Sequence, residues 1–373
     1  MHVIKTLGLG GAETNLLNLA AAFDSNKVQN HIAYSHGGEN EERFKRSGLH
    51  LFKYAEDQHK IKSFETFAIV ARLAGYIRKN RVDIIHTHNS NAQVWGCLAA
   101  KLAGVKLVEH VHDFRYMEEE DYKIRRGSTA QYRYIRYFTR WSDRVVVLTG
   151  GNREYLLKHR LCREDRIREI QNGIPLDAPP AAPERFGIRK ESPVILMSVR
   201  MAPEKNVDLV LRIVPAVLRE VPSAVFLMAG DGPLLAELKK SVENTPIAEC
   251  VRFIGFQADV PALLSMTQVF LLPSFLELHS ISILEALSQS VPVVVSSNVG
   301  CNSETFNHGE DAFLLDPFSD EGWADTVIRL LKDPVLSRKI GENGRKLCRE
   351  RFDIRKTARR FEELYEELVR HGA

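Results

Sequence analysis

Short apolar runs alternate with amphipathic segments along the whole chain, and this alternation is the feature that most restricts its fold. A strand-like run followed by a helical pattern and another strand-like run is typical of parallel α/β structure. The runs are HVIKTL, HIAYS, HLFKY, VDIIHTH, VKLVEHVH, RVVVLT and IREIQN in the first half, then PVILMSV, AVFLMAG, VRFIGF, VFLLPS, VPVVVS and AFLLD. The sequence therefore predicts two doubly wound sheets of similar size.

A proline-rich stretch, NGIPLDAPPAAPERFGIRKESP, separates the two halves and is typical of a linker. A chain of 373 residues also exceeds one ordinary core and suits two domains. We predict a first domain over residues 1–175, a linker over 176–192 and a second domain over 193–351, followed by a final segment over 352–373. Sheets of this kind bind ligands at the carboxyl ends of their strands, and two such edges facing one another form a cleft.

The composition excludes several classes of protein. The chain is 44% hydrophobic and 27% charged, as in a soluble globular protein. We see no apolar run near the roughly 18 residues that span a bilayer, and no signal-peptide pattern at the start. The five cysteines are scattered, without a C-x-x-C pair, which disfavours structural zinc and a disulfide framework. These features predict a cytoplasmic protein.

Positive charge is concentrated in the first half of the chain. Residues 1–175 contain 28 Lys and Arg against 20 Asp and Glu, whereas the remainder contains 23 against 28. The segment from Phe114 to Arg144 adds eight aromatic residues to its eight basic ones. Two interpretations stay open: a surface for anionic lipid at the inner face of the membrane, or a solvated helix with its aromatic residues packed inward. We expect no nucleic-acid partner.

The stretch SFLELHSISILE follows an apolar run and precedes VPVVVSS. If a helix begins near Ser280, Glu277 lies in the loop before it and Glu285 about a turn and a half inside it. The free N–H groups of that helix start then lie between two carboxylates. This arrangement suits a ligand with an anionic part and a polyol part.

Two further loops follow strands of the second half. SVRMAPEKN places Arg200 and Lys205 five positions apart after the first strand, a pair that suits a pyrophosphate. Taken alone, the pair is better explained by two solvated surface charges. AGDGP, which contains Gly230, follows the next strand as a turn that shapes the same edge.

Glycines and histidines follow strands of the first half. LGLGGAE is expected to end the first strand and begin a helix from Thr14 to Phe23, but Glu13 replaces the third glycine of a dinucleotide fingerprint, which weakens a nicotinamide interpretation. Two His-x-His pairs end consecutive strands. Alternate residues share a face, so a metal is conceivable, but no third ligand is apparent and no D-x-D motif follows a strand. The paired histidines are His86, His88, His110 and His112.

In this order and spacing, the motifs resemble the retaining GT-B glycosyltransferases of family 4, and the resemblance covers nearly the whole chain. The family's G-G-x-E loop matches Gly10, Gly11 and Glu13, and its linker start matches NGIPLD. Its strand-end histidine falls on His112. Its remaining motifs, an Arg…Lys pair, A-G-x-G-P and E-x7-E, fall on Arg200 and Lys205, Ala229 to Pro233, and Glu277 and Glu285.

The resemblance implies two Rossmann-like domains facing across a cleft, with residues 352–373 forming a helix that crosses back to the first domain. It implies transfer of a sugar from a UDP- or GDP-sugar to an acceptor hydroxyl in cell-surface polysaccharide or glycolipid synthesis, without metal or other cofactor. The acceptor is lipid-linked or a small molecule, with peripheral membrane contact for the former. The implied catalytic residues are His112, Glu277, Arg200 and Lys205. The implied donor-binding residues are Gly10, Gly11, Arg200, Lys205, Gly230, Phe256, Glu277, His279, Ser280, Ile281 and Glu285. The implied acceptor-side residues are His88, Asn89 and His112.

The chain departs from the family pattern at positions that are usually glycine. Val199 precedes the arginine, Asn206 follows the lysine, and the stretch before Glu304 reads NVGCNSE. These departures keep open a non-catalytic subunit that binds sugar nucleotides. A nucleotide-sugar epimerase of the same fold, which needs no acceptor, is a second alternative.

Overall fold

A computed structural model describes residues 1–8, 10–55, 63–88, 90–112, 136–176 and 185–370, without the side chains of 63–65, 90 and 91. The chain divides into two compact units. Unit 1 comprises Met1–Gly173 together with Ile354–Ala373, and unit 2 comprises Ile174–Asp353. The predicted linker residues 177–184 and most of the basic aromatic segment, residues 113–135, lie outside the described residues.

Unit 1 contains a seven-stranded parallel sheet in the order β3-β2-β1-β4-β5-β6-β7. Its strands are β1 (His2–Thr6), β2 (His31–His36), β3 (His50–Lys53), β4 (Ile84–His88), β5 (Lys106–His110), β6 (Arg144–Val147) and β7 (Ile167–Glu169). Its helices are α1 (Gly11–Ala22), α2 (Glu41–Arg46), α3 (Ser63–Lys79), α4 (Ser90–Ala103), α5 (Gly150–Lys158) and, from the end of the chain, α13 (Ile354–Arg370), with a 3-10 turn at Glu164–Arg166.

Unit 2 contains a six-stranded parallel sheet in the order β10-β9-β8-β11-β12-β13. Its strands are β8 (Val194–Ser198), β9 (Val225–Ala229), β10 (Val251–Gly255), β11 (Val269–Leu272), β12 (Val293–Ser296) and β13 (Phe313–Leu315). Its helices are α6 (Val207–Glu220), α7 (Leu235–Val242), α8 (Val260–Leu264), α9 (Ile281–Ser288), α10 (Asn302–Thr305), α11 (Trp323–Lys332) and α12 (Pro334–Arg351), with 3-10 turns at Arg185–Gly187 and Pro203–Lys205.

The thirteen strands found among the described residues all coincide with apolar runs of the sequence, which confirms the predicted α/β class. Both faces of the unit 2 sheet are buried, because alternate residues of one strand belong to different cores: Leu196 packs on one side, and Ile195 and Met197 on the other. Strands that are apolar on both faces are typical of parallel sheets covered by helices. In each unit the strand order reverses once, between β1 and β4 and between β8 and β11, and ligands of such sheets bind at these points.

Helix α1 begins three residues earlier than the sequence predicts, at Gly11 and not at Thr14. Gly10 is the residue before the helix, in an extended conformation with φ −79°, and its carbonyl accepts the first intrahelical hydrogen bond from Thr14 at 3.1 Å. Glycine has a low helix propensity, so a prediction from propensity begins too late.

Helix α13 packs on the sheet of unit 1, although it is far in sequence from the other elements of that unit. Its apolar residues recur at helical spacing and are buried against Leu19, Phe23, Val108, Val146 and Ile170. Glu367 on this helix pairs with Arg144 at 2.5 Å and with Arg168 at 3.1 Å, which ties the helix to β6 and β7. The buried residues of α13 in this core are Ile354, Ala358, Phe361, Leu364 and Leu368.

Within the described part of the chain, no helix has both the length and the apolar character that membrane crossing requires. All five cysteines are free thiols, three of them buried.

Asn206 occupies a position that needs a left-handed backbone, with φ 51° and ψ 44°. Its side-chain amide donates to the carbonyl of Pro317 at 2.9 Å. This conformation accounts for the glycine that the family usually carries here. Asparagine is the side chain that tolerates the left-handed region best, so the departure at this position is structurally conservative.

We expect Asn206→Ala to be less stable than Asn206→Gly. Both variants lose the hydrogen bond to Pro317, but only alanine has a Cβ that the left-handed conformation disfavours, at about 1 kcal/mol. The thermal midpoint of the alanine variant, measured by differential scanning calorimetry, should lie roughly 2–4 °C below that of the glycine variant. Equal midpoints would contradict this account of the position.

Candidate active site

Two loops meet at the point where the strand order of unit 2 reverses. One follows β8 and contains the 3-10 turn Pro203–Lys205, and the other follows β11 and leads into α9. Strands β8 and β11 are direct neighbours, so their carboxyl ends lie side by side. The backbone N–H of Phe275 donates to the carbonyl of Glu204 at 2.8 Å, which joins the loops directly.

An ion pair connects the two loops through side chains. The Nζ of Lys205 lies 2.5 Å from Oε2 of Glu277, and both side chains are about five-sixths buried, at 16% and 15% exposure. The structure thus brings together two predicted site residues that are 72 positions apart. The sequence motifs predicted both residues but not this contact.

Arg200 is held by a residue that the sequence analysis missed. Its guanidinium lies 2.5 Å from Oε1 of Glu204, whose side chain is only 9% exposed, while that of Arg200 is 59% exposed. The buried carboxylate therefore orients an arginine that remains accessible. The spacing of four positions between the two residues was the available signal.

Helix α9 begins where the sequence predicts. Ser280 precedes it in an extended conformation, and the structure gives this residue no side-chain capping hydrogen bond. The first N–H groups of the helix, at Ile281 and the following residues, therefore lack a side-chain partner from that position. Glu285 lies one turn inside the helix and is half-buried.

The side chain of His279 points into the interior of unit 2. It is 6% exposed, and its ring lies 5.1 Å from the ring of the fully buried Phe352. Burial, with a smaller contribution from the charge of Arg351, lowers the pKa of His279 to about 3. The imidazole is therefore neutral near pH 7. Because the ring is buried, only the backbone of His279 can contact a ligand.

Two glycines allow backbone segments of this edge to approach closely. Gly230 has φ 132°, and a Cβ there would lie 1.7 Å from the carbonyl oxygen of Val199. Gly300 has φ 58°, and its Cβ would lie 2.5 Å from the carbonyl oxygen of Glu277. Both positions therefore require glycine. Phe256, by contrast, follows the edge strand β10, two strands from β8, and is 38% exposed.

The reversal point of unit 1 joins the glycine loop to the histidine pairs. Gly10 and Gly11 are exposed at the start of α1, after β1, and His88 ends the neighbouring strand β4. His88 is fully buried, and its Nδ1 lies 3.0 Å from Nε2 of the partly buried His112. Asn89 lies outside the described residues.

Five imidazoles form one group, here called the histidine cluster: His2, His86, His88, His110 and His112. Ring centroids of neighbours lie between 3.9 and 5.5 Å apart. The expectation that the His-x-His pairs lack a third ligand is wrong, because three ring nitrogens come within 4.8 Å of one another in two different sets. The pairs lie on adjacent strands, and β1 adds His2, which the sequence analysis did not consider.

Burial keeps four of the five imidazoles neutral. It lowers the pKa of His2 to about 3, with the nearby N-terminal ammonium as a smaller cause. It also holds the pKa values of His86, His88 and His110 well below their usual range, with neighbouring imidazoles as the smaller cause. Neutral imidazoles can donate to or accept from hydroxyl groups, and they can bind metal ions.

A cavity of about 360 Å³ in unit 1 lies at the opposite edge of the sheet, near the amino ends of β1, β2 and β4. None of the predicted site residues is among its described lining. His86 and Tyr365 line it, so the inner end of the histidine cluster faces this cavity.

The described end of the basic aromatic segment presents a mixed surface. Tyr137 and Trp141 are 55% and 38% exposed, whereas Phe138 is buried. The guanidinium of Arg136 lies 4.8 Å above the ring of Tyr155, and Arg140 is exposed. At this end, therefore, one aromatic residue is packed inward and two are exposed.

Comparisons with known proteins agree with this architecture. The family model described as Glycosyltransferase Family 4 matches residues 9–178, and that described as Glycosyl transferases group 1 matches residues 180–347. The chain is 28% identical over 305 residues to the UDP-Gal:alpha-D-GlcNAc-diphosphoundecaprenol alpha-1,3-galactosyltransferase of Escherichia coli, covering 79% of this chain and 77% of that protein. It is 26% identical over 311 residues to the N-acetyl-alpha-D-glucosaminyl L-malate synthase of Bacillus anthracis, covering 81% and 79%.

Solved structures show the same fold. The structure of Anabaena Alr3699/HepE in complex with UDP-glucose superposes with a TM-score of 0.83 at 19% identity, covering 99% of this chain and all of that one. The sucrose-phosphate synthase of Thermosynechococcus elongatus superposes with a TM-score of 0.81 at 18% identity, covering 99% of each chain. Two parallel sheets, the motifs at their carboxyl edges and two family models that together span nearly the whole sequence lead to one assignment. The chain belongs to the family 4 glycosyltransferases and has the GT-B fold.

Proposed function

We propose that this glycosyltransferase moves a sugar from a UDP- or GDP-sugar to an acceptor hydroxyl, with retention of the anomeric configuration and without a divalent metal. The acceptor belongs to cell-surface polysaccharide or glycolipid synthesis. Relatives named for undecaprenyl-linked and phosphatidylinositol-linked acceptors support this class of product. The structural neighbour in complex with UDP-glucose supports the class of donor.

The observation that carries the proposal is the pairing of Lys205 with Glu277 beside the Arg200 loop. Departure of a nucleoside diphosphate is the difficult step, because negative charge develops on the leaving phosphate. Lys205 supplies a point charge and Arg200 a planar fork, and both follow the same strand. Preorganised cations, together with the N–H groups at the start of α9, stabilise that charge without a metal ion.

The two glutamates have different roles in this proposal. Glu285, inside α9, accepts hydrogen bonds from the two ribose hydroxyls of the donor. Glu277, at the mouth of the helix, is bound to Lys205 through one oxygen, and its second oxygen is left for the transferred sugar. The Glu277 carboxylate thereby connects Lys205, which stabilises the leaving phosphate, to the sugar ring that is transferred.

Residues of unit 1 serve the acceptor side. The ring of His112 is partly exposed, and we assign it to bind a hydroxyl of the sugar or the acceptor. His88 orients His112 through the 3.0 Å contact between their ring nitrogens. Retention follows if the acceptor attacks from the face that the diphosphate leaves. In that route the leaving phosphate oxygen takes the proton of the acceptor hydroxyl as the new glycosidic bond forms.

The proposal is tested with a panel of UDP-glucose, UDP-galactose, UDP-N-acetylglucosamine and GDP-mannose. We expect one donor to raise the thermal midpoint and to release its nucleotide on incubation with a membrane-lipid extract or a simple glycoside. NMR of the sugar product should show the anomeric configuration of the donor. Inversion would contradict the proposed route, and a changed sugar on an intact nucleotide, formed without acceptor, would identify an epimerase.

Matched variants separate the cation pair from general charge effects. Arg200→Ala and Lys205→Ala should each reduce transfer by about two orders of magnitude, since a charge-assisted contact contributes up to about 3 kcal/mol. Arg212→Ala removes an arginine of unit 2 that pairs with Asp320 and is similarly exposed, and it should have little effect. Tight donor binding by the wild type without any turnover would indicate a non-catalytic subunit instead.

Substituting the two glutamates should divide their kinetic effects. Glu285→Gln should raise the donor KM by about tenfold with little change in kcat, because ribose binding is equal in the ground and transition states. Glu277→Gln should mainly lower kcat, because it touches the reacting sugar and also loosens Lys205. Steady-state kinetics with saturating acceptor measure both values.

The control for this pair is Glu220→Gln, which breaks the exposed ion pair between Glu220 and Lys332. Exposed pairs contribute little, so both kinetic constants should stay unchanged. A kcat effect at Glu285 together with a KM effect at Glu277 would reverse our assignment of the two roles.

We further propose that the enzyme reaches a lipid-linked acceptor by peripheral contact with anionic lipid at the inner face of the membrane. Tyr137 and Trp141 are exposed beside Arg140, and their rings lie 6.0 Å apart in an edge-to-face arrangement. Aromatic rings flanked by basic side chains suit the headgroup region of a bilayer. The excess of basic residues in residues 1–175 favours the same surface.

Liposome co-sedimentation should detect this contact. Wild-type protein should bind vesicles containing phosphatidylglycerol at low salt, release them at high salt and ignore neutral vesicles. Arg136→Gln with Arg140→Gln should weaken binding by about tenfold or more, since each basic residue near the surface contributes about 1 kcal/mol. Arg163→Gln, at an arginine 75% exposed elsewhere in unit 1, is the control. A wild type that ignores anionic vesicles at low salt would point to a small-molecule acceptor.

A further inference from the structure

We propose that His88, His110 and His112 form a binding site for one divalent transition-metal ion, with Zn²⁺ as the ion that fits best. The ion is an inhibitor and not a cofactor, because it engages His112 and removes it from the sugar or acceptor. The inhibition rests on the function proposed above, whereas the binding site does not.

The strands place these three imidazoles on one face of the sheet. His88 and His110 are register partners on β4 and β5, and His112 follows two positions after His110. Their ligand atoms lie within 4.8 Å of one another, and the closest pair, Nδ1 of His88 and Nε2 of His112, is 3.0 Å apart. Zn–N bonds of about 2.0–2.1 Å in tetrahedral geometry separate two nitrogens by roughly 3.4 Å. Small side-chain rotations therefore complete the site.

His110 gives independent support for a ligand at this position. It is fully buried, and neither of its ring nitrogens has a hydrogen-bond partner among the described residues. A buried polar group left without a partner costs about 1–3 kcal/mol. A metal ion bound to one nitrogen would compensate part of that cost.

The donor set selects the class of metal. The neighbouring carboxylate, Glu109, alternates to the opposite face of β5 and is occupied by Gln93 at 2.7 Å and Ser142 at 3.2 Å. The three ligands are thus all imidazole nitrogens. Such a set favours Zn²⁺, Cu²⁺, Ni²⁺ or Co²⁺ over Mg²⁺, Mn²⁺ and Ca²⁺, which prefer oxygen ligands.

A second set, His2, His86 and His88, fits less well. All three of its rings are buried, and Nδ1 of His86 is already 2.5 Å from the hydroxyl of Tyr365. His112, by contrast, is partly exposed, so an ion can reach the first set from the carboxyl edge of the sheet.

The test measures zinc binding to EDTA-treated full-length protein by isothermal titration calorimetry, without donor or acceptor. We expect one Zn²⁺ per chain. Co²⁺ bound in place of zinc should give the visible absorption of a tetrahedral cobalt site with nitrogen ligands. His110→Gln should weaken zinc binding by at least about tenfold. Even the loss of a residue that only orients a metal ligand lowers metal affinity by about that factor. His50→Gln is the matched control, since His50 is an exposed imidazole stacked on His31.

Transfer assays test the inhibition separately. EDTA treatment should leave the activity unchanged or raise it, zinc should lower it and equal Mg²⁺ should not. His110→Gln should keep the metal-free activity and lose the zinc sensitivity.

Several outcomes would overturn the site. One is the absence of zinc binding and of a cobalt spectrum in the wild type, which requires no variant to fold. Another is unchanged zinc affinity in folded His110→Gln and His110→Asn. Loss of affinity in His2→Gln but not in His110→Gln would assign the ion to the other set. Zinc binding that leaves transfer unaffected would refute the inhibition alone. Zinc binding by a protein without transferase activity would refute the proposed function and leave the site intact.

Discussion

The pairing of β8 with β11 is the constraint on which the candidate active site of unit 2 depends. Backbone register sets Val269 beside Ile195 and Phe270 beside Leu196, although the strands are far apart in sequence. The end of each strand therefore fixes where the loop that follows it begins. The contact between Lys205 and Glu277, the Glu204 carbonyl that accepts from Phe275 and the start of α9 all follow from this register.

The two ion pairs of this edge differ in their physical roles. Lys205 and Glu277 are mostly buried, so their attraction is weakly screened, but both have lost hydration, and such pairs add little net stability. Their value lies in orientation, since either charge alone in that place would be costly. Arg200 is well exposed, and solvent weakens its pair with Glu204. A ligand anion can therefore compete for Arg200 more readily than for Lys205.

Local patterns in the sequence predicted the elements, whereas contacts between elements required the structure. Apolar runs located every strand, and serine before an apolar helix located α9 with Glu277 outside and Glu285 inside. Besides the ion pairs of Arg200 with Glu204 and of Lys205 with Glu277, three features escaped prediction. Glycine propensity placed the start of α1 too late. The contribution of His2 depends on strand order, which a sequence does not display. The left-handed backbone at Asn206 resembles an ordinary loop until its φ angle is known, and only then is the missing glycine explained.

The return of the chain to unit 1 has a consequence for biosynthesis. Unit 2 is inserted between Gly173 and Ile354, and its two ends are joined by a hydrogen bond from Ile174 to Phe352 at 2.9 Å. All residues of unit 2 are synthesised before α13. The core of unit 1 is completed only when α13 has been made, because Leu19, Phe23 and Ile170 pack against the apolar face of that helix. Until α13 is made, the apolar surface of unit 1 that this helix covers is exposed to solvent. A chaperone or another nascent chain would bind to that surface.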